Sequence, residues 1–274
     1  MIRAVLFDMG GTLLDFNPEH IPWPEWERAG LESACAYLAS RGYALSTETF
    51  IDRFVDGLPE RWERAAQGKG NLRLDDVIRE ACAACIGGPS QAEIDASTPQ
   101  YSAPSQAEVD AAVARYIAPL DARVAIYEDT LATLAALRRR GLRMGLVSNT
   151  MWPGEYHRRE LDRFGLMPYL QHTLFSADEG VWKPQPGIYR RSLDALGVEA
   201  REAVFVGDQP EYDVLGAQEV GMRAVYKHNG RARATDVCPD AAIAHLSELL
   251  ALIDQWDKAG GPAAAPPALF RANR

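Results

Sequence analysis

Four short stretches hold the side chains able to do chemistry: Phe7-Asp8-Met9-Gly10-Gly11-Thr12-Leu13, Leu146-Val147-Ser148-Asn149, Val181-Trp182-Lys183-Pro184, and Val206-Gly207-Asp208 with Asp213 five residues on. A carboxylate attacks an anionic phosphoryl group only once that group's charge is neutralised, which calls for a divalent cation beside it. Asp208 and Asp213 can converge on one hard cation through oxygen ligands and waters, the pattern that suits Mg2+. Gly10-Gly11-Thr12 permits a tight turn and a close main-chain approach to an anionic group. The chain has four lysines, and Lys183 stands in the specific setting Lys-Pro-Gln-Pro-Gly-Ile-Tyr. Taken singly, each Asp reads as a helix cap or turn residue and the Lys as a solvated loop residue. The set, rather than any member, points to chemistry.

These side chains need a frame. Short apolar runs alternate with amphipathic segments, which predicts a parallel sheet covered by helices, an α/β doubly wound fold. Strands are expected at residues 4–8, 143–148, 172–176, 203–208, 223–226 and 241–244, with helices such as 130–139 and 189–196 ended by Gly141 and Gly197. Asp8, Ser148 and Asp208 then collect at the carboxyl ends of neighbouring strands, where open α/β sheets bind ligands.

In order and context the four stretches resemble the signature of the haloacid dehalogenase-like hydrolase superfamily, in its helical-cap, phosphatase-type branch. The resemblance covers roughly residues 1–15 and 120–246 and continues through Asp213-Val214-Leu215-Gly216-Ala217 and Gly221-Met222. It implies a Rossmann-like core, an aspartyl-phosphate intermediate and Mg2+. Asp8 would be the nucleophile. The metal ligands would be Asp8, the Gly10 carbonyl and Asp208, with Asp213 direct or through water. Ser148 would hold a phosphoryl oxygen beside Asn149, the Gly10-Gly11-Thr12 turn would approach the same group, and Lys183 would neutralise charge on the nucleophile and the transferring group.

Gly10 departs from the phosphatase pattern, standing where a general acid/base Asp normally stands. Losing such a group costs about 10²- to 10⁴-fold in rate. Three readings follow: a Mg2+-dependent phosphatase of a small phosphorylated metabolite, with Glu19 or His20 as the nearest replacements in sequence; a 2-haloacid dehalogenase, whose halide leaves without a proton; and a non-catalytic member that binds a phosphorylated ligand or a partner. Dehalogenases of the superfamily lack the metal-binding Gly-Asp that Gly207-Asp208 supplies, and intact Asp8 and Lys183 count against a non-catalytic role. The phosphatase is preferred.

Residues 16–119 lose the strand pattern and read as a helical cap inserted after the first strand, leaving a core of 1–15 and 120–254 and a disordered tail at 255–274. Within the insertion Pro89-Ser90-Gln91-Ala92-Glu93 recurs as Pro104-Ser105-Gln106-Ala107-Glu108, each copy a helix start with a capping box. Trp23 and Trp26 read as cap core or pocket wall. A net charge of −9 with no long basic run argues against a nucleic-acid partner. No apolar run reaches the roughly 20 residues of a membrane span, and the N-terminus enters a strand pattern directly, so a cytoplasmic enzyme is expected. Cys82 and Cys85, with Cys35 and Cys238, are expected as free thiols in a reducing compartment.

Overall fold

The computed structural model describes residues 1–86, 103–230 and 235–259. In chain order the elements are β1 (Ala4–Phe7), β2 (Leu14–Asp15), α1 (Trp23–Ser40), α2 (Thr47–Val55), α3 (Leu58–Ala66), α4 (Leu74–Ile86), α5 (Gln106–Asp121), β3 (Ala125–Ile126), α6 (Thr130–Arg139), β4 (Arg143–Ser148), α7 (Gly154–Arg163), β5 (His172–Phe175), α8 (Ser176–Glu179), α9 (Pro186–Leu196), β6 (Ala203–Gly207), a π-helical turn (Pro210–Leu215), α10 (Gly216–Glu219), β7 (Arg223–Lys227), β8 (Ala241–Ile243) and α11 (Glu248–Ala259).

They form two compact units. The first contains Met1–Asp15, Arg64–Asn71 and the chain from Ala125 onward. Its six strands pair in parallel in the order β5-β4-β1-β6-β7-β8. Every residue of β1 and β6 is buried, as expected for parallel strands covered on both faces. The six strands match those expected from sequence, and α9 begins three residues earlier than expected because Pro186 suits the first helical turn. It ends as expected at Gly197, left-handed at φ 62. Leu6, Val147, Leu174, Ile188, Tyr189 and Phe205 belong to one continuous core. β1 lies between β4 and β6, so successive crossovers leave it on opposite sides and its carboxyl end is the switch point of the sheet.

A two-stranded ribbon was not expected: Leu14 pairs with Ile126 and Asp15 with Ala125, antiparallel. It closes the chain where it leaves the sheet unit and returns. Leu13 O, just before it, accepts from Tyr127 N at 3.3 Å and Thr130 Oγ1 at 3.1 Å.

The second unit, drawn from Phe16–Glu63 and Leu72–Val124, is helical in its described residues. Its interior holds Phe50, Phe54, Val77 and Tyr116, together with Trp26, while Trp23 is exposed. Ser105 caps α5 in a reciprocal capping box with Glu108. The other copy of that motif and residues 260–274 lie outside the described residues. Residues 255–259, expected to begin a disordered tail, instead complete α11, whose Leu249, Ile253 and Trp256 are buried. All four cysteines are free thiols. Among the described residues no helix is long and apolar enough to cross a membrane.

Candidate active site

The register of the sheet unit places the expected residues at one edge. Phe7 pairs with Leu146 on one side and Val206 on the other, so Asp8, Ser148 and Asp208 leave three adjacent strands side by side. All three are buried, as are Lys183 and Asp213. Among the described residues, Asp8, Asp208 and Asp213 can each offer a carboxylate oxygen within 4.8 Å of the others. A buried, all-oxygen donor set fits a hard cation of the Mg2+ or Mn2+ class and not a soft one.

Lys183 ties this cluster together. Its Nζ donates to Asp8 Oδ1 at 2.6 Å and to Asp213 Oδ1 at 2.7 Å. Burial alone would lower the lysine's pKa, but Asp213 and Asp8 outweigh it and hold it at about 12. Burial pushes Asp8 up to about 6, against the pull of Lys183 and with a further push from Asp213. A dication beside Asp8 would favour its charged form.

The second oxygen of Asp213 accepts from Gln209 N at 2.8 Å. Expected as a metal ligand, Asp213 thus has both oxygens engaged by protein, which fits contact with a cation through water while it aims Lys183. Asn149 is also placed differently from expectation. Its Nδ2 donates to Lys183 O at 2.9 Å and its Oδ1 accepts from Lys183 N at 2.7 Å. The amide therefore clamps the lysine's main chain, and its contribution to phosphate binding would be indirect.

The turn after β1 is built by Gly11, left-handed at φ 77, whose N–H donates to Leu14 O at 2.7 Å. A Cβ there would lie 2.6 Å from Asp208 Cγ. Gly207 is constrained in the same way, since its Cβ would meet Asp213 Cγ at 2.3 Å. Gly10 is partly buried and is not left-handed. Thr12 is fully buried, with an Oγ1 that has no hydrogen-bond partner among the described residues. Glu19 and His20 are exposed residues of the helical unit.

Sequence reasoning missed Asn229, whose Nδ2 donates to Asp208 Oδ2 at 2.8 Å. Its signal was its place just past β7, the strand beside the one that carries Asp208. It also missed that Trp182 and Gln185, either side of Lys183-Pro184, bond to Asn71 Oδ1 and Ala65 O, both at 2.8 Å, within the same unit.

The chain is 37% identical to a phosphoserine phosphatase of Thermus thermophilus over 90% of its own length and 98% of the relative's. Among solved structures it is similar to a 2-haloacid dehalogenase of Pseudomonas syringae, at 26% identity and TM-score 0.67, covering 93% of this chain and all of that one. It is also similar to a phosphatase of the same superfamily from Thermococcus onnurineus, at 25% identity and TM-score 0.64, covering 92% and 98% of the two chains. The family model of haloacid dehalogenase-like hydrolases matches residues 2–221, and the chain is therefore an enzyme of the haloacid dehalogenase-like hydrolase family.

Proposed function

We propose that this hydrolase is a Mg2+-dependent phosphatase of small phosphorylated metabolites that works through an aspartyl-phosphate on Asp8. The observation that carries this reading is the buried convergence of Asp8, Asp208 and Asp213, with the Lys183 ammonium bonded to two of them. Asp8 and Asp208 would hold the cation, with the Gly10 carbonyl, and Asp213 would reach it through water. Bound there, Mg2+ supplies charge neutralisation for the carboxylates and the incoming phosphoryl group.

Asp8 attacks phosphorus, forming the Asp8–phosphorus bond as the ester oxygen leaves with its electron pair. Lys183 neutralises charge on the attacking carboxylate and the group in transfer. Water then cleaves the acyl phosphate, releasing inorganic phosphate and restoring Asp8. Gly10 offers no side chain to protonate the leaving oxygen, so that proton comes from solvent or from another residue. The likeness to a phosphoserine phosphatase supports an amino-acid or comparably small phosphate ester as substrate. Four free cysteines support a reducing, cytoplasmic setting.

A 2-haloacid dehalogenase is the second reading, favoured by Gly10 and by the likeness to a dehalogenase structure. The three-carboxylate cluster counts against it, since halide displacement needs no such cation site. Both are tested by turnover of phosphoserine, a sugar phosphate and p-nitrophenyl phosphate in Mg2+ and in EDTA, beside halide release from 2-chloropropionate. Mg2+-dependent phosphate release supports the phosphatase. Halide release that persists in EDTA, without phosphate release, overturns it.

A further inference from the structure

Lys227 is the last residue of β7 and is 2% exposed. Its Nζ sits 3.8 Å from the centroid of the Tyr127 ring, and among the described residues it makes no hydrogen bond or ion pair. Gly207 pairs with Tyr226, so Asp208, the residue just past β6, lies beside Lys227, the last residue of β7. Burial lowers the lysine's pKa, while the carboxylates of Asp129, Asp208 and Asp15 oppose that drop. A buried ammonium held by one ring face is costly compared with an apolar side chain of the same length. A purely structural position would be better served by Met or Leu.

Charge balance at the site gives the position a use. Within the cluster itself, Asp8, Asp208 and Asp213 against Lys183 leave two net negative charges, and counting Lys227 beside Asp208 reduces that to one, with Asp129 and Asp15 facing the same ammonium from outside the cluster. A bound dication then makes the site net positive, as an incoming phosphoryl anion requires. With a neutral residue at 227 the same loaded site would be neutral.

We propose that Lys227 is a positioning residue of charge: it restrains the affinity of the Asp208 cluster for its cation and strengthens the hold of the loaded site on an anionic ligand. The proposal rests on the Mg2+-dependent reading above. It makes a prediction of opposite signs that simple damage to the site does not. Tyr127 holds the ammonium in place from the segment just past the β2–β3 ribbon, so the charge is fixed by the sheet unit itself.

The test is calorimetric and independent of turnover. Mg2+ is titrated into wild type, Lys227→Met and Lys227→Arg, and inorganic phosphate is then titrated at saturating Mg2+. Lys227→Met should bind Mg2+ roughly three- to tenfold more tightly and phosphate weaker by a similar factor. Lys227→Arg, which keeps the charge, should stay within about twofold of wild type in both. Lys227→Gln serves the same comparison if the Met variant does not fold. Weaker binding of both ligands by the neutral variants, or no change in either, overturns the role of Lys227 while leaving the phosphatase reading intact. A wild type that binds no Mg2+ overturns both.

Discussion

The Lys183 ammonium donates to Asp8 Oδ1 at 2.6 Å, so the cation that would neutralise the transferring group already holds the nucleophile. Asp213 holds the same ammonium from the other side at 2.7 Å. Asp213→Asn should leave Lys183 with a single anionic partner. We expect kcat to fall by about tenfold or more. Stability should drop by about 1–3 kcal/mol, less than for a buried charge left with no partner at all. Steady-state kinetics and urea midpoints check this, and an Asn variant unchanged in both would remove Asp213 from the site.

Gly11 separates a backbone role from a side-chain one. Gly11→Ala places a Cβ 2.6 Å from Asp208 Cγ and 2.7 Å from Asn229 Nδ2, at φ 77. The strain costs about 1–3 kcal/mol and displaces Asp208. Mg2+ affinity should fall by about tenfold or more, measured by calorimetry on folded protein. An alanine variant with wild-type Mg2+ affinity would show that Asp208 does not depend on this turn.

Gly10 limits the leaving group. In the wild type, turnover should depend steeply on leaving-group pKa, with p-nitrophenyl phosphate and acetyl phosphate far ahead of sugar or glycerol phosphates. Gly10 is not left-handed, so no backbone strain of the kind found at Gly11 opposes a side chain there. Gly10→Asp should raise the alkyl-phosphate rate by about tenfold or more. A flat wild-type series, with chemistry shown to be rate-limiting, would mean that another group donates the proton, and Glu19→Gln and His20→Ala would then be compared.

Stability of the helical unit should depend on pH through Glu27. This residue is 2% exposed, and burial pushes it up to about 8, against a smaller downward pull from the Tyr116 hydroxyl. Its folded pKa lies above the ordinary value of 4.5, so the native state keeps the proton longer than the unfolded chain. Stability is therefore full below about pH 4.5 and is lost as pH rises towards about 8. Glu27→Gln removes this dependence. Between pH 5 and pH 8.5 the wild type should lose on the order of 2–4 kcal/mol relative to the variant in denaturant titrations. Parallel curves for the two proteins would place the proton elsewhere.

The frame of the site was legible because its signals are local. Runs such as Ala4–Phe7 and Ala203–Gly207 are continuously apolar, and each is followed at once by its Asp. The clamp of Asn149 on Lys183 and the engagement of both Asp213 oxygens were not legible, since a hydrogen-bond partner is chosen by ångström placement and not by spacing in the chain. The β2–β3 ribbon escaped because two-residue strands have no periodicity to read. Asn229 and Lys227 escaped because they matter only once β7 lies beside β6. Arg64–Asn71 falls with the sheet unit although it sits in mid-insertion, and composition gave no sign of that.

Release of inorganic phosphate from p-nitrophenyl phosphate in Mg2+, compared between wild type and Asp8→Asn, tests the central claim most directly. The substitution removes the attacking oxygen's charge and little volume, so the fold should persist, as checked by circular dichroism, while turnover falls by about 10³-fold or more. Turnover within tenfold of wild type, with mass spectrometry excluding deamidation back to Asp, would contradict an aspartyl-phosphate on Asp8.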